Sequence, residues 1–169
     1  KIITESSHVQ NDIIRLYKYA RDKVHVIESP PYFQLVKIKE SPFNFPYIFF
    51  PAQFWKHKNH VRVIKAFKKI KEFDAKIKLV LTGNKSREFK NINKEVIDLN
   101  LQDDVIFKGP IPQDEMSTFF SKAKLIIAPT LYESISIPVF EAFKYQVPVC
   151  ASGVFAIKDQ VKNAGILFD

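Results

Sequence analysis

Two carboxylates stand in an otherwise apolar stretch, YESISIPVFEAF, at Glu133 and Glu141. A core segment has no use for ionisable groups unless they hold something. Each carboxylate can accept two hydroxyl hydrogen bonds, the means by which a protein grips vicinal diols on a sugar or a ribose. Pro138 suits the first turn of a helix, with Ser136 or Ile137 near its cap. That places Glu133 in the loop before the helix and Glu141 about one turn inside it. The backbone N–H groups of 135–138 then face outward as a site for an anion or a hydroxyl. A plainer reading fits these residues equally well: Glu141 offsets the helix dipole and Glu133 is merely exposed.

Two further segments carry groups of interest. In FFPAQFWKHKNH a strand ends at Phe50 and a helix is expected to begin near His57 to Asn59. Lys58 at that helix start is disfavoured by the dipole unless an anion such as a phosphate also sits there. The simpler alternative is a solvated lysine beside Lys56 and His60. His57 and His60 have no carboxylate or cysteine nearby to complete a metal site, and they read as surface or interface residues. In LTGNKS, Gly83 follows a strand and permits a tight turn or close approach of a ligand. The chain contains neither a P-loop nor a GxGxxG.

The elements that must position these groups alternate. YIFF (47–50), IKLVLT (77–82), VIF (105–107), KLIIAP (124–129), VPVCA (147–151) and GILF (165–168) read as strands buried on both faces of a parallel sheet. Between them Val63, Ala66, Phe67, Ile70 and Phe73 form one helical stripe, and Met116, Phe119, Phe120 and Ala123 another. Segments 86–100 and 137–146 also fit helices. The expectation is an α/β fold, a Rossmann-like, doubly wound parallel sheet of about six strands over residues 46–169. Ligands then bind beyond the carboxyl ends of the strands. Residues 1–45 differ. KIITESS and KVHVIE flank a helix with Val9, Ile13, Leu16 and Ala20 on one face, and SPPYFQLVKIKESPFNFP follows with four of the ten prolines. This region reads as the tail of a preceding lobe and an interdomain linker, in a chain that is a piece of something longer.

Composition narrows the classes. An apolar fraction of 46% argues against disorder, and a lone cysteine, Cys150, excludes a disulfide framework and suits a reducing compartment. No stretch approaches the length of a transmembrane helix. Lysine and arginine number 26 against 18 acids, a net charge of +8 that suits an anionic partner or simply reflects solvated helix faces.

Taken together, ESISIPVFEAFKYQVPV resembles the signature of the retaining glycosyltransferases of family 4, whose two glutamates are separated by seven residues within a GT-B fold. YIFFPAQFWKHKNHVRVIKAF resembles the first βα unit of that family's C-terminal domain. KLVLTG, VIFKGPIPQDEM and AGILFD follow in family order, and ITESSHVQNDII to SPPY is similar to the end of its N-terminal lobe. The resemblance implies transfer of a sugar from a nucleoside-diphosphate-sugar (UDP-, GDP- or ADP-) to an acceptor hydroxyl with retained configuration, as in cell-envelope polysaccharide or glycolipid synthesis. It implies that Glu141 holds the ribose, that Glu133 contacts the transferred sugar, and that the backbone of Ile135, Ser136 and Ile137 lies beside sugar and phosphates. Lys58 would bind the diphosphate and stabilise it as it leaves, so Lys58 and Glu133 are the expected catalytic pair. Gln53 and Gly83 would line the donor site, with the base near Gly109 to Ile111. No metal or other cofactor is implied, and the QDD at 102–104 reads as an exposed turn. Gln53 replaces the family's usual arginine, Ser136 its usual glycine, and Asp159 best matches a later glutamate.

The saccharide or lipid-linked acceptor would bind through the N-terminal lobe, and this piece alone would bind donor weakly without turnover. A cytoplasmic location follows, with peripheral contact at the inner face of the membrane if the acceptor is lipid-linked. Three other readings stand beside this one. They are a GT-B sugar-nucleotide epimerase or phosphorylase (the latter without a motif for its pyridoxal-phosphate lysine), a fold that has lost its activity, and a basic nucleic-acid-binding module stacking bases on Phe54 and Trp55; no nucleic-acid signature supports the last.

Overall fold

The computed structural model describes residues 1–28 and 38–169; the first half of the proline-rich linker, 29–37, lies outside them. Strand β1 (Ile2–Thr4), helix α1 (Ser7–Tyr17) and strand β2 (Val24–Val26) form a small parallel pair of their own. The remaining elements are β3 (Tyr47–Pro51), α2 (His60–Phe73), β4 (Lys78–Thr82), α3 (Phe89–Asp98), β5 (Val105–Gly109), α4 (Gln113–Lys122), β6 (Leu125–Ala128), α5 (Ile137–Lys144), β7 (Val149–Ser152), α6 (Phe155–Val161) and β8 (Ile166–Phe168). Six strands form one parallel sheet in the order β5-β4-β3-β6-β7-β8. The order reverses at β3, where the chain leaves one flank and β6 opens the other. A crevice therefore forms above the carboxyl ends of β3, β4 and β6.

Strand β3 shows why the sheet is buried on both faces. Tyr47 and Phe49 enter one core cluster with α4, α5 and α6, while Ile48 and Phe50 enter a second with α2 and α3. Successive strand residues point to opposite faces, so a slip of one position would exchange the two sets. Each fully buried Phe contributes about 2–3 kcal/mol, which holds the register Tyr47↔Lys78 to Pro51↔Thr82 against β4. Tyr47 donates its buried hydroxyl to the Phe119 carbonyl at 2.9 Å.

Each expected strand lies where a strand is found, but the helix stripes need correction. On α2 the buried residues are His60, Val63, Ile64 and Phe67; Ala66 is exposed and Phe73 is 90% exposed, because the helix ends there. On α1 no residue is buried, Leu16 is exposed, and Ala20 lies beyond the helix. Helix α6 had no counterpart in the sequence pattern. Residues 38–46 of the linker are not detached: the Phe43 ring meets Tyr47 at 5.4 Å and Phe119 at 5.8 Å, and Lys39 N–H donates to Thr118 Oγ1 at 3.1 Å. Of the QDD turn, Asp104 is half-buried and accepts from Lys71 Nζ at 2.9 Å.

Candidate functional site

The loop after β3 sets the first wall of the crevice. Phe54 is buried among Phe89, Phe107 and His60, and its carbonyl accepts a hydrogen bond from Ser86 Oγ. The chain then makes a short 3-10 turn over Lys56–Lys58, and α2 begins at His60 after a left-handed Asn59 (φ 65°). The helix therefore starts one residue beyond the expected range of His57 to Asn59, and Lys58 belongs to the preceding 3-10 turn.

Lys58 Nζ instead donates to Glu133 Oε1 at 2.5 Å. The two side chains are only 15% and 19% exposed, so this pair is far better shielded than an ordinary surface ion pair. The two residues assigned to separate parts of a ligand are thus bound to each other. Their loops are tied as well. Leu131 N–H donates to the His57 carbonyl at 2.7 Å, Asn59 Nδ2 to the Pro129 carbonyl at 3.2 Å, and Ser152 Oγ to the Thr130 carbonyl at 2.6 Å. Thr130 Oγ1 donates to the Tyr132 carbonyl at 2.9 Å, closing the turn that presents Glu133.

His60 is a correction. It is 2% exposed, stacked on Phe50 with ring centroids 4.4 Å apart, and neither ring nitrogen has a hydrogen-bond partner of good geometry among the described residues. Burial, followed by the charge of Lys58, pushes its pKa down to about 4; the nearby Ala52 backbone opposes that shift only in part. The sequence pattern of HKNH gives no sign of this, since the burial comes from Phe50 and Phe54 on separate segments.

A cleft of about 330 Å³ runs along this wall, lined by Gln53, Trp55, Lys58, Thr82, Gly83, Pro110, Ile111, Met116, Ile137, Pro138 and Glu141, among others. Gly83 is required here by contact. At φ 132° any Cβ would lie 2.6 Å from the Ala52 carbonyl oxygen, which forces the β4 loop against the β3 loop. Gln53 Oε1 accepts from Asn84 N–H at 2.8 Å and joins the same two loops, leaving its amide nitrogen as the group able to donate. Glu141 lies within α5, half-buried at the opposite wall, and burial holds its carboxyl above the usual range while Lys144 partly offsets this.

The segment before α5 departs from expectation. Ser136 is 2% exposed, its N–H donates to Gln160 Oε1 at 3.0 Å, and Gln160 Nε2 donates to its carbonyl at 2.6 Å. One side chain on α6 thus satisfies both backbone groups of Ser136. That N–H does not face outward, and Pro138 has none, so only the amides of Ile135 and Ile137 remain from the expected row. Ile135 and Ser134 line a second, more polar cleft of about 250 Å³ with Asp159 and Gln160, while Ile137 lines the first. The sequence reading missed Gln160, Asn59 and Thr130 as organisers of the site. No signal marks them in the sequence, because each acts on backbone groups brought close only by the fold.

Comparison with known proteins follows the same outline. Residues 33–169 match the sequence model of the family described as glycosyl transferases group 1. The chain is 24% identical over 166 residues to the O-antigen chain mannosyltransferase RfbU of Salmonella typhimurium, covering 98% of this chain and 45% of that protein. It therefore spans about half the length of the curated relatives it matches. A glycosyltransferase structure from Rickettsia africae superposes with a TM-score of 0.86 at 21% identity, over 100% of this chain and 49% of that one. The Anabaena Alr3699/HepE structure in complex with UDP and glucose superposes with a TM-score of 0.84 at 17% identity, over 98% of this chain and 48% of that one. The six-stranded unit is accordingly the Rossmann-like half of a GT-B fold.

Proposed function

We infer that this chain, which belongs to the glycosyl transferases group 1 family, is the donor-binding half of an enzyme that moves a sugar from a nucleoside diphosphate to an acceptor hydroxyl. The observation that carries the reading is convergence. Lys58, Gly83, Ile111, Ile137 and Glu141, from four separate segments, line one cleft above the carboxyl ends of the strands, and Glu133 is tied into it through Lys58. In this reading Glu141 accepts the ribose hydroxyls, and the Ile111 side of the cleft faces the base. Lys58 binds the diphosphate, and Glu133 receives hydroxyls of the transferred sugar. The charge of Lys58 stabilises the phosphate as the bond from the anomeric carbon to the diphosphate oxygen breaks, a task a metal performs elsewhere. The acceptor oxygen bonds to that carbon on the face the diphosphate leaves, its proton passing to the departing phosphate, and configuration is retained. The mannosyltransferase relatives support an envelope polysaccharide as product and mannose as the first sugar to test.

Titration calorimetry of the chain with UDP, GDP and ADP tests this. Saturable binding of one of them, weakened at least tenfold by both Lys58→Ala and Glu141→Ala, is the expected result. Equal affinity for all variants would remove the proposed site.

A further inference from the structure

The chain contains one tryptophan, and it lies on the rim of the donor cleft. Trp55 is 52% exposed although its neighbour Phe54 is 1% exposed. The backbone at Trp55 is extended (φ −97°, ψ 149°), which sends successive side chains to opposite sides. Phe54 enters the core cluster, so Trp55 is turned away from it, with its ring 5.6 Å from that of His57. The position is also fixed from behind. Ser86 and the Phe89 ring hold Phe54, and Trp55 N–H donates to the Gln53 carbonyl at 2.7 Å. These contacts tie Trp55 to the β4 loop that carries Gly83, at the nucleoside end of the cleft, whereas Lys58 leads away to Glu133.

A half-exposed indole that lines the same cleft as the apolar Pro110, Ile111 and Met116 offers a flat face for a planar ligand. Of the residues lining the cleft, only Lys58 and Glu141 are charged. We propose that Trp55 is a substrate-contacting residue whose indole stacks on the nucleobase of the donor. This deepens the glycosyl-donor reading and rests on it. Stacking tolerates every base, so Trp55 supplies affinity, and discrimination among bases falls to the backbone near Ile111.

The lone tryptophan makes the test direct. Emission of the wild-type chain is followed during titration with UDP, GDP and ADP, and with inorganic pyrophosphate, beside calorimetry on wild type, Trp55→Phe and Trp55→Ala. The expected result is saturable quenching by the nucleotide that calorimetry detects and none by pyrophosphate. Trp55→Ala should bind about five- to hundredfold more weakly, and Trp55→Phe within about threefold of wild type. Thermal unfolding of both variants close to wild type keeps the loss assignable to the contact. Unchanged emission with wild-type affinity in Trp55→Ala overturns the stacking role and leaves the donor reading intact. Quenching by pyrophosphate, or only by a sugar nucleotide, places Trp55 at the wrong end of the donor and overturns it as well. Quenching by a single-stranded oligonucleotide but by no mononucleotide overturns it in favour of nucleic-acid binding. Absence of any calorimetric binding by wild type removes both readings together.

Discussion

Acidification should loosen this domain through one residue, His60. Unfolded, its imidazole titrates near 6.5; folded, burial between Phe50 and Phe54 and the charge of Lys58 bring it to about 4. A depressed histidine pKa means the folded state refuses a proton that the unfolded chain accepts. Stability from this group is therefore complete above pH 6.5 and is lost as pH falls toward 4. At about 1.4 kcal/mol per pH unit, the full loss is about 3 kcal/mol, and about 2 kcal/mol is already gone at pH 5. That is a sizeable share of the total stability of an ordinary domain, about 5–15 kcal/mol. His60→Phe keeps the ring and the stack while removing the titration and both unpartnered nitrogens. Urea unfolding followed by circular dichroism, at steps from pH 7.5 to 4.5, should show wild type falling more steeply than the variant. The gap should open between pH 6.5 and 5 and reach about 2 kcal/mol. Parallel profiles for the two proteins would refute the argument, because every other titrating group is common to both.

Glu141 gives the opposite sign. Its carboxyl is held above the usual range by burial, so its favourable contribution is present at acid pH and lost as pH rises through the folded value. In its ionised form the half-buried group opposes folding. Glu141→Gln should therefore melt above wild type at pH 7, with the difference shrinking toward pH 4, while nucleotide affinity falls; calorimetry and thermal melts on the same samples measure both. Gln160→Leu leaves the buried N–H of Ser136 without its partner and its carbonyl with only the Val139 N–H at 3.2 Å. It should lower unfolding free energy by about 1–3 kcal/mol in urea titrations and weaken sugar-nucleotide binding more than binding of the bare nucleotide.

The sheet was legible because its signal is local. Four consecutive apolar residues at Tyr47–Phe50 can be satisfied only by burial on both faces, and strand alternating with helix leaves few topologies. The helix faces were less so. Phe73 fits the stripe of α2 by spacing, but the chain leaves the helix there and the ring has nothing to cover. Local punctuation also misled at KHKN, where a left-handed Asn59 inserts a 3-10 turn before the helix. The site was legible as residue types and not as contacts. Glu133 and Glu141 announce chemistry by being charged in an apolar run, and Lys58 by its place at an expected helix start, but their partners come from elsewhere: Lys58 finds Glu133 across 75 positions, and Gln160 reaches Ser136 across 24.

Those partners change what the two glutamates mean. Glu141 stands half-buried with a raised pKa, and the charge of Lys144 offsets the cost of its burial only in part. Glu133 is the reverse, fully engaged by Lys58 in a shielded pair. A purely structural pair of carboxylates would both be neutralised, because burying an unpaired charge brings no gain to the fold. A purely exposed pair would need neither Lys58 nor the ties through Asn59, Thr130 and Ser152. On the donor reading the asymmetry has a reason. Ribose hydroxyls supply Glu141 with the hydrogen bonds its surroundings lack. The diphosphate competes with Glu133 for Lys58, and the sugar's hydroxyls return to Glu133 what that competition removes. On that reading sugar and diphosphate would reinforce each other at one ion pair, which would give the two glutamates of the apolar run a common purpose.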